Sequence, residues 1–208
     1  MTDRKPIVYV VDDDPSVRRA LERLLRSTGH EARTFASALD FIDYEHPDVP
    51  GCLVLDVRMP KLNGLDLQDL LIKKGNSIPV IFITGHGTVP DSVRALKGGA
   101  VDFLQKPFED GDLLEAVSRG IENHRHERRK QKEMKILRAR LNTLTPRERE
   151  VFGFVISGML NKQIAYDLGI SEKTIKVHRA KVMQKMGAGS LADLVRFAEK
   201  LGVNPPPA

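Results

Sequence analysis

Regular patterning begins with Ile7-Val-Tyr-Val-Val11, five apolar residues that run straight into Asp12-Asp13-Asp14-Pro15. Beyond that break Val17, Leu21, Leu24 and Leu25 recur at helical spacing until Gly29, which predicts a strand followed by a helix, with Asp14 as its cap and Pro15 in its first turn. A weaker strand over 31–35 and a short helix through Leu39 and Ile42 come next. The run Cys52-Leu-Val-Leu-Asp56, closed by Pro60 and Asn63-Gly64, reads as a buried strand whose last residue emerges into a loop. A helix over 65–73, a strand over 79–84, a helix over 90–97, a strand over 101–105 and a helix from near Asp110 complete the pattern. Five apolar strands alternating with helices predict a doubly wound α/β fold, with a five-stranded parallel sheet covered on both faces.

The pattern then changes. Residues 121–145 hold no Gly or Pro, so the last helix is expected to continue past Met134 as a long connector. Met134, Leu137, Leu141 and Leu144 step by 3, 4 and 3, which begins a two-stranded seam or else marks one stripe of a basic helix laid on a neighbour. Thr145-Pro146-Arg147-Glu148 is a helix start with cap, first-turn Pro and capping-box Glu. Short helices over 161–168, from 170 to Met186 and over 191–201 make four in all, and the Gly169 turn between the second and third is that of a helix-turn-helix. The predicted domains are 5–122, a helical linker over 123–140, and 141–203.

Charge sharpens this division. Residues 1–120 carry 15 Lys and Arg against 19 Asp and Glu, a net −4, whereas residues 121–208 carry 18 against 9, a net +9. The basic half is expected to approach a polyanion. Cys52 is alone and excludes an intrachain disulfide. With no apolar stretch of spanning length and no secretory pattern at the start, a cytoplasmic protein without membrane partners is expected.

The predicted sheet presents Asp12 and Asp13, Asp56, Thr84 and Lys106 at the carboxyl edges of four strands, where open α/β sheets bind ligands. Clustered carboxylates repel unless a cation sits among them, and an oxygen-rich set suits a hard ion such as Mg²⁺. Asp56 can then act as nucleophile toward a phosphoryl group, Lys106 neutralise its oxygens, and Thr84 donate a hydroxyl to one of them. Gly85-His86-Gly87 lacks the rest of a phosphate-cradling motif and reads as a turn that moves with Thr84.

At these residues, with Met59-Pro60, Asn63-Gly64, Thr84-Gly85 and Lys106-Pro107-Phe108, the chain resembles the receiver domain of two-component response regulators, a flavodoxin-like fold. The resemblance implies that Asp56 takes a phosphoryl group from a sensor histidine kinase. It also implies that Asp13 and the Arg58 carbonyl bind Mg²⁺ directly beside Asp56, with Asp12 acting through water, that Lys106-Pro107 is cis, and that Phe103 is the switch aromatic. Lacking a hydroxyl, Phe103 can report packing only.

In the predicted third helix of the basic half, Ile175, Val182 and Met186 share one stripe, while Lys173, Lys176, Val177, Ala180, Lys181 and Gln184 share the other. Lysines there attract phosphates, Lys176 can reach a guanine edge and Val177 a thymine methyl. Residues 144–151, 161–165 and 174–179 resemble the LuxR-type DNA-binding domain, and the domain order that of the NarL/FixJ family, on its FixJ side. By that resemblance Lys176 and Val177 read bases and Lys162, Lys173, Thr174 and His178 lie near phosphates, with Arg179 and Lys181 completing the candidate promoter contacts. The apolar excess of the fourth helix (Leu191, Leu194, Val195, Phe197, Ala198, Leu201) is read as a homodimer contact. The reading is a transcriptional regulator, not an enzyme, with RNA polymerase a further partner. Its rivals are a free-standing Mg²⁺-dependent phosphotransferase and a helix-turn-helix that docks on protein or polymerase.

Overall fold

The structure, a computed structural model, describes residues 5–205, so the reading of the chain start as free of a secretory pattern lies outside it. Two compact units divide at Arg128 and Arg129. Among the described residues no helix is long and apolar enough to cross a membrane.

The first unit is a parallel sheet ordered β2-β1-β3-β4-β5, from β1 (Ile7–Val11), β2 (Glu31–Phe35), β3 (Gly51–Asp56), β4 (Val80–Thr84) and β5 (Asp102–Gln105). Its helices are α1 (Pro15–Ser27), α2 (Ala38–Asp43), α3 (Gly64–Lys73), α4 (Val89–Lys97) and the start of α5 (Asp110–Asn142). Period-two alternation sends Tyr9, Val11, Leu53, Leu55 and Phe82 to one face, against Phe41, Leu67 and Leu71. It sends Val8, Val10, Cys52, Val54, Ile81 and Ile83 to the other, against Leu21, Leu25, Leu113 and Val117. Each fully buried aliphatic or aromatic side chain contributes about 1.5–3 kcal/mol. Because β1, β3 and β4 are buried along their whole lengths, their all-apolar runs carry no amphipathic alternation. Burial pushes the Cys52 thiol up to about 12, which makes it an inert core residue.

Strand order reverses direction between β1 and β3, and the switch point of such a sheet is where a ligand site forms. Asp12 follows β1 and Asp56 ends β3. At the opposite end of β3, buried His124 of α5 places Nδ1 3.0 Å from the Gly51 amide nitrogen and 2.9 Å from its carbonyl oxygen. Burial holds the imidazole pKa below its usual value, and the neutral ring accepts the amide proton.

The second unit takes in the end of α5 with α6 (Pro146–Ile156), α7 (Asn161–Asp167), α8 (Glu172–Met186) and α9 (Leu191–Leu201). Phe152, Val155, Ile164, Ile175, Val182, Met186 and Leu194 form its core. The Met134–Leu144 spacing falls at the end of α5. The helix ends at Asn142, and Leu141 and Leu144 pack into this core, the one-stripe alternative. Gly169 (φ 63°) makes the left-handed turn between α7 and α8.

Candidate functional site

The β1 loop is shaped by its own carboxylates. Asp14 caps α1 by accepting from the Ser16 amide at 2.7 Å, and Asp12 Oδ1 accepts from the Asp14 amide at 2.9 Å. Arg18 then clamps the turn, its Nη1 donating to the Asp12 carbonyl at 2.6 Å and the Asp13 carbonyl at 2.9 Å. The sequence carries no signal for that clamp, because it joins a helix side chain to backbone carbonyls. Across the switch point, Asp56 Oδ2 accepts from the Arg58 amide at 2.7 Å. The loop beyond is constrained at both ends: Lys61 adopts a left-handed φ of 67°, and the Gly64 backbone approaches the Asp56 carbonyl so closely that a side chain at 64 has no room.

Lys106 completes the cluster. Its Nζ donates to Asp12 Oδ2 at 2.7 Å and Asp56 Oδ1 at 2.9 Å, and the peptide bond to Pro107 is cis. Asp12 (1% exposed), Asp56 (7%) and Thr84 (1%) are buried, whereas Asp13 lies exposed on the loop. Burial raises the Asp56 pKa against the opposing pull of Lys106. Burial also works against the Lys106 ammonium, but Asp12 and Asp56 outweigh it and hold its pKa above the usual lysine value. Thr84 Oγ1 accepts from the His86 amide at 3.2 Å, and the Phe103 ring packs 6.1 Å from that of Phe82.

Asp12, Asp56 and Lys106 therefore converge, Asp13 and Arg58 flank them, and Thr84 and Phe103 stand on the adjoining strands. Among the described residues no group of three or more His, Cys, Asp and Glu side chains forms a metal cage. The oxygens of two buried carboxylates beside a main-chain carbonyl suit a hard, largely hydrated ion rather than a caged one, and Mg²⁺ keeps several waters.

In the second unit the expected DNA-contact residues divide by environment. Lys162, Lys173, Thr174, Lys176, Val177 and Lys181 are exposed, Val177 by 49%. His178 and Arg179 are half-buried. Arg179 Nη1 donates to Asn161 Oδ1 at 3.3 Å, tying α8 to the start of α7, and the buried His178 Nδ1 has no hydrogen-bond partner. Thr174 Oγ1 lies 2.8 Å from Ser171 Oγ in the cap of α8. Of the α9 excess, Phe197 and Leu201 pack on the unit's own core, while Leu191 stays 39% exposed.

Glu148 holds the base of α8. It closes the Thr145 capping box and its Oε2 accepts from Lys185 Nζ at 2.6 Å, a long-range pair with no sequence signal. Lys185 and the Thr145 amide hold its pKa down to about 2, against an ordinary 4.5. A carboxylate depressed in the folded state stabilises above its unfolded pKa and loses that contribution as pH falls through the folded value. The second unit is expected to lose stability between about pH 4.5 and 2, and Glu148→Gln to flatten that limb in thermal unfolding followed by circular dichroism.

With this geometry established, the chain matches the family of the response regulator receiver domain over residues 8–118 and that of bacterial regulatory proteins of the luxR family over 142–198. It is 51% identical to Nodulation protein W of Bradyrhizobium diazoefficiens over 96% of this chain and 88% of that one. It is 46% identical to Transcriptional regulatory protein FixJ of Rhizobium meliloti over 95% and 97%. Among solved structures, the response regulator StyR superposes with a TM-score of 0.87 at 47% identity, over 94% of this chain and 99% of that one. Full-length FixJ from B. japonicum gives 0.58 at 42%, over 97% and 98%. Fold and site define a DNA-binding response regulator that controls transcription, its receiver served by a sensor-kinase phosphodonor. Within that class the chain belongs to the NarL/FixJ family of two-component response regulators, in its FixJ subgroup.

Proposed function

We propose that Asp56 is the phosphoacceptor. The observation that carries this is the Lys106 ammonium shared by two buried carboxylates at the switch point of the sheet. An Asp56 carboxylate oxygen attacks the phosphorus of a phosphohistidine on the sensor kinase, the P–N bond breaks with its electron pair going to nitrogen, and the ring, already protonated on its other nitrogen, leaves as neutral imidazole. Lys106 moves its hydrogen bond to a phosphoryl oxygen and Thr84 donates to another. Asp13, Asp56 and the Arg58 carbonyl would hold Mg²⁺, with Asp12 acting through water. The ion supplies positive charge to the phosphoryl oxygens when bound.

In the same reading residues 5–122 are the receiver, 123–140 the helical linker and 141–203 the DNA-binding domain. Lys176 and Val177 read base edges, while Lys162, Lys173, Thr174, His178 and Lys181 contact phosphates. Arg179 positions the recognition helix through Asn161. Phosphorylation favours a homodimer on two half-sites, and α9 offers Leu191 to it. In this reading the chemistry acts on the chain's own side chain, which supports a regulator rather than an enzyme, working in the cytoplasm.

Selection of genomic fragments with and without acetyl phosphate tests both halves. Promoter fragments are expected to be enriched with the phosphodonor and depleted without it; equal recovery in the two arms would overturn the switch.

A further inference from the structure

The carboxyl end of α8 is closed from two directions. Within its own chain segment, the Gly187 amide donates to the Gln184 carbonyl at 3.1 Å and the Ala188 amide to that of Met183 at 3.0 Å, through a left-handed Gly187 (φ 66°). The Met186 carbonyl instead takes its hydrogen bond from outside the helix, from Arg140 Nη1 at 3.0 Å. Arg140 lies in the last turn of α5, where its own carbonyl accepts from the Thr143 amide at 3.0 Å and from Thr143 Oγ1 at 2.7 Å. Leu137 before it and Leu144 after it are buried, so the backbone that carries the guanidinium is anchored.

The same guanidinium occupies the space that a side chain at 187 would fill. A Cβ added there stands 2.6 Å from Arg140 Nη1, 2.8 Å from its Cζ and 3.1 Å from its Nη2. Since these atoms end a long flexible side chain, they would yield to it before the backbone does. Beside them Lys185 Nζ donates to the Thr143 carbonyl at 3.0 Å and to Glu148 Oε2 at 2.6 Å. One cation from α5 and one of α8's own therefore stand at the negative end of the α8 dipole.

We propose that Arg140 is a positioning residue for promoter recognition: it pins the carboxyl end of α8, so that Lys176 and Val177 reach the groove in one orientation. This rests on the reading of α8 as the recognition helix. Base edges are read over hydrogen-bond distances and need that orientation, whereas attraction to phosphates is long-ranged and does not. Releasing the clamp therefore costs discrimination before it costs attraction. Gly187 serves the clamp by leaving the guanidinium its room.

The test is fluorescence anisotropy of the full-length protein with acetyl phosphate, on a promoter duplex recovered by genomic selection and on its scrambled counterpart. Arg140→Met removes the donor. Gly187→Asn displaces it while keeping every charge, with a residue that tolerates the left-handed φ. Each is expected to lower affinity for the promoter duplex about tenfold, the scale of one lost hydrogen bond to a charged group, and to leave the scrambled duplex nearly unchanged. The double variant should lose no more than either single one, because both release the same contact. Arg138→Met, which removes an equal charge from an exposed position of α5, should keep the wild-type ratio of the two affinities. An unchanged ratio in Arg140→Met, or an equal loss on both duplexes, overturns the clamp. Lys176→Ala separates this from the reading beneath it. Discrimination lost there and kept in Arg140→Met fails the clamp alone, whereas discrimination kept in Lys176→Ala fails α8 as the recognition helix and the clamp with it. If Arg140→Met does not fold, Gly187→Asn decides: a fallen ratio supports the clamp, and a wild-type ratio overturns it.

Discussion

Replacing Asp56 with Asn is expected to abolish acetyl-phosphate-driven dimerisation and the promoter binding that depends on it, while the receiver stays folded. The substitution keeps the side chain's volume and its Oδ acceptor, so the Arg58 amide bond survives. It also leaves the Lys106 ammonium paired with Asp12 at 2.7 Å, so no buried charge is stranded. What disappears is the carboxylate oxygen proposed to attack phosphorus. A switch from 1:99 to 99:1 requires about 5 kcal/mol of preference for the active state, and the variant forfeits all of it. Light scattering with and without phosphodonor checks the loss, and phosphodonor-driven dimers of Asp56→Asn would sink the assignment. Lys106→Ala makes the informative contrast. It leaves two buried carboxylates without their shared cation, so both the fold and the chemistry should suffer.

The strand ends were legible because β1, β3 and β4 announce themselves as apolar runs that stop at polar residues. Parallel order then leaves Asp12, Asp56, Thr84 and Lys106 one edge to share. Interactions between side chain and distant backbone were not legible. The Arg18 clamp, the His124 contact with Gly51 and the Lys185 bond to Glu148 join positions that share no local pattern. The Met134–Leu144 spacing left two readings open for a related reason. Residues 134–144 repeat at coiled-coil spacing, and Leu141 and Leu144 also pack on the apolar core of their own unit, a contact that no local pattern announces. Gly87 shows the limit most directly. Sequence offers a flexible turn, whereas the contacts of its missing side chain show a packed one.

Promoter affinity is expected to fall by about 10³–10⁵ between 50 and 200 mM salt, the scale for six to ten phosphate contacts across a dimer. The prediction rests on how α8 is built. Ile175, Val182 and Met186 are fully buried and anchor one face, which leaves Lys173, Lys176 and Lys181 on the solvent side to release counterions. Lys176 makes an exposed 3.3 Å pair with Glu172, worth little to give up on binding. The lysines should therefore separate by kind. Lys173→Ala is expected to weaken all sequences alike and to shallow the salt slope by about 1, while Lys176→Ala should cost about 1–3 kcal/mol and relax preference at one base position. Fluorescence anisotropy on cognate and scrambled duplexes across salt concentrations reads both. A flat salt dependence would remove the phosphate contacts from the argument, and identical effects of the two substitutions would remove Lys176 from base recognition.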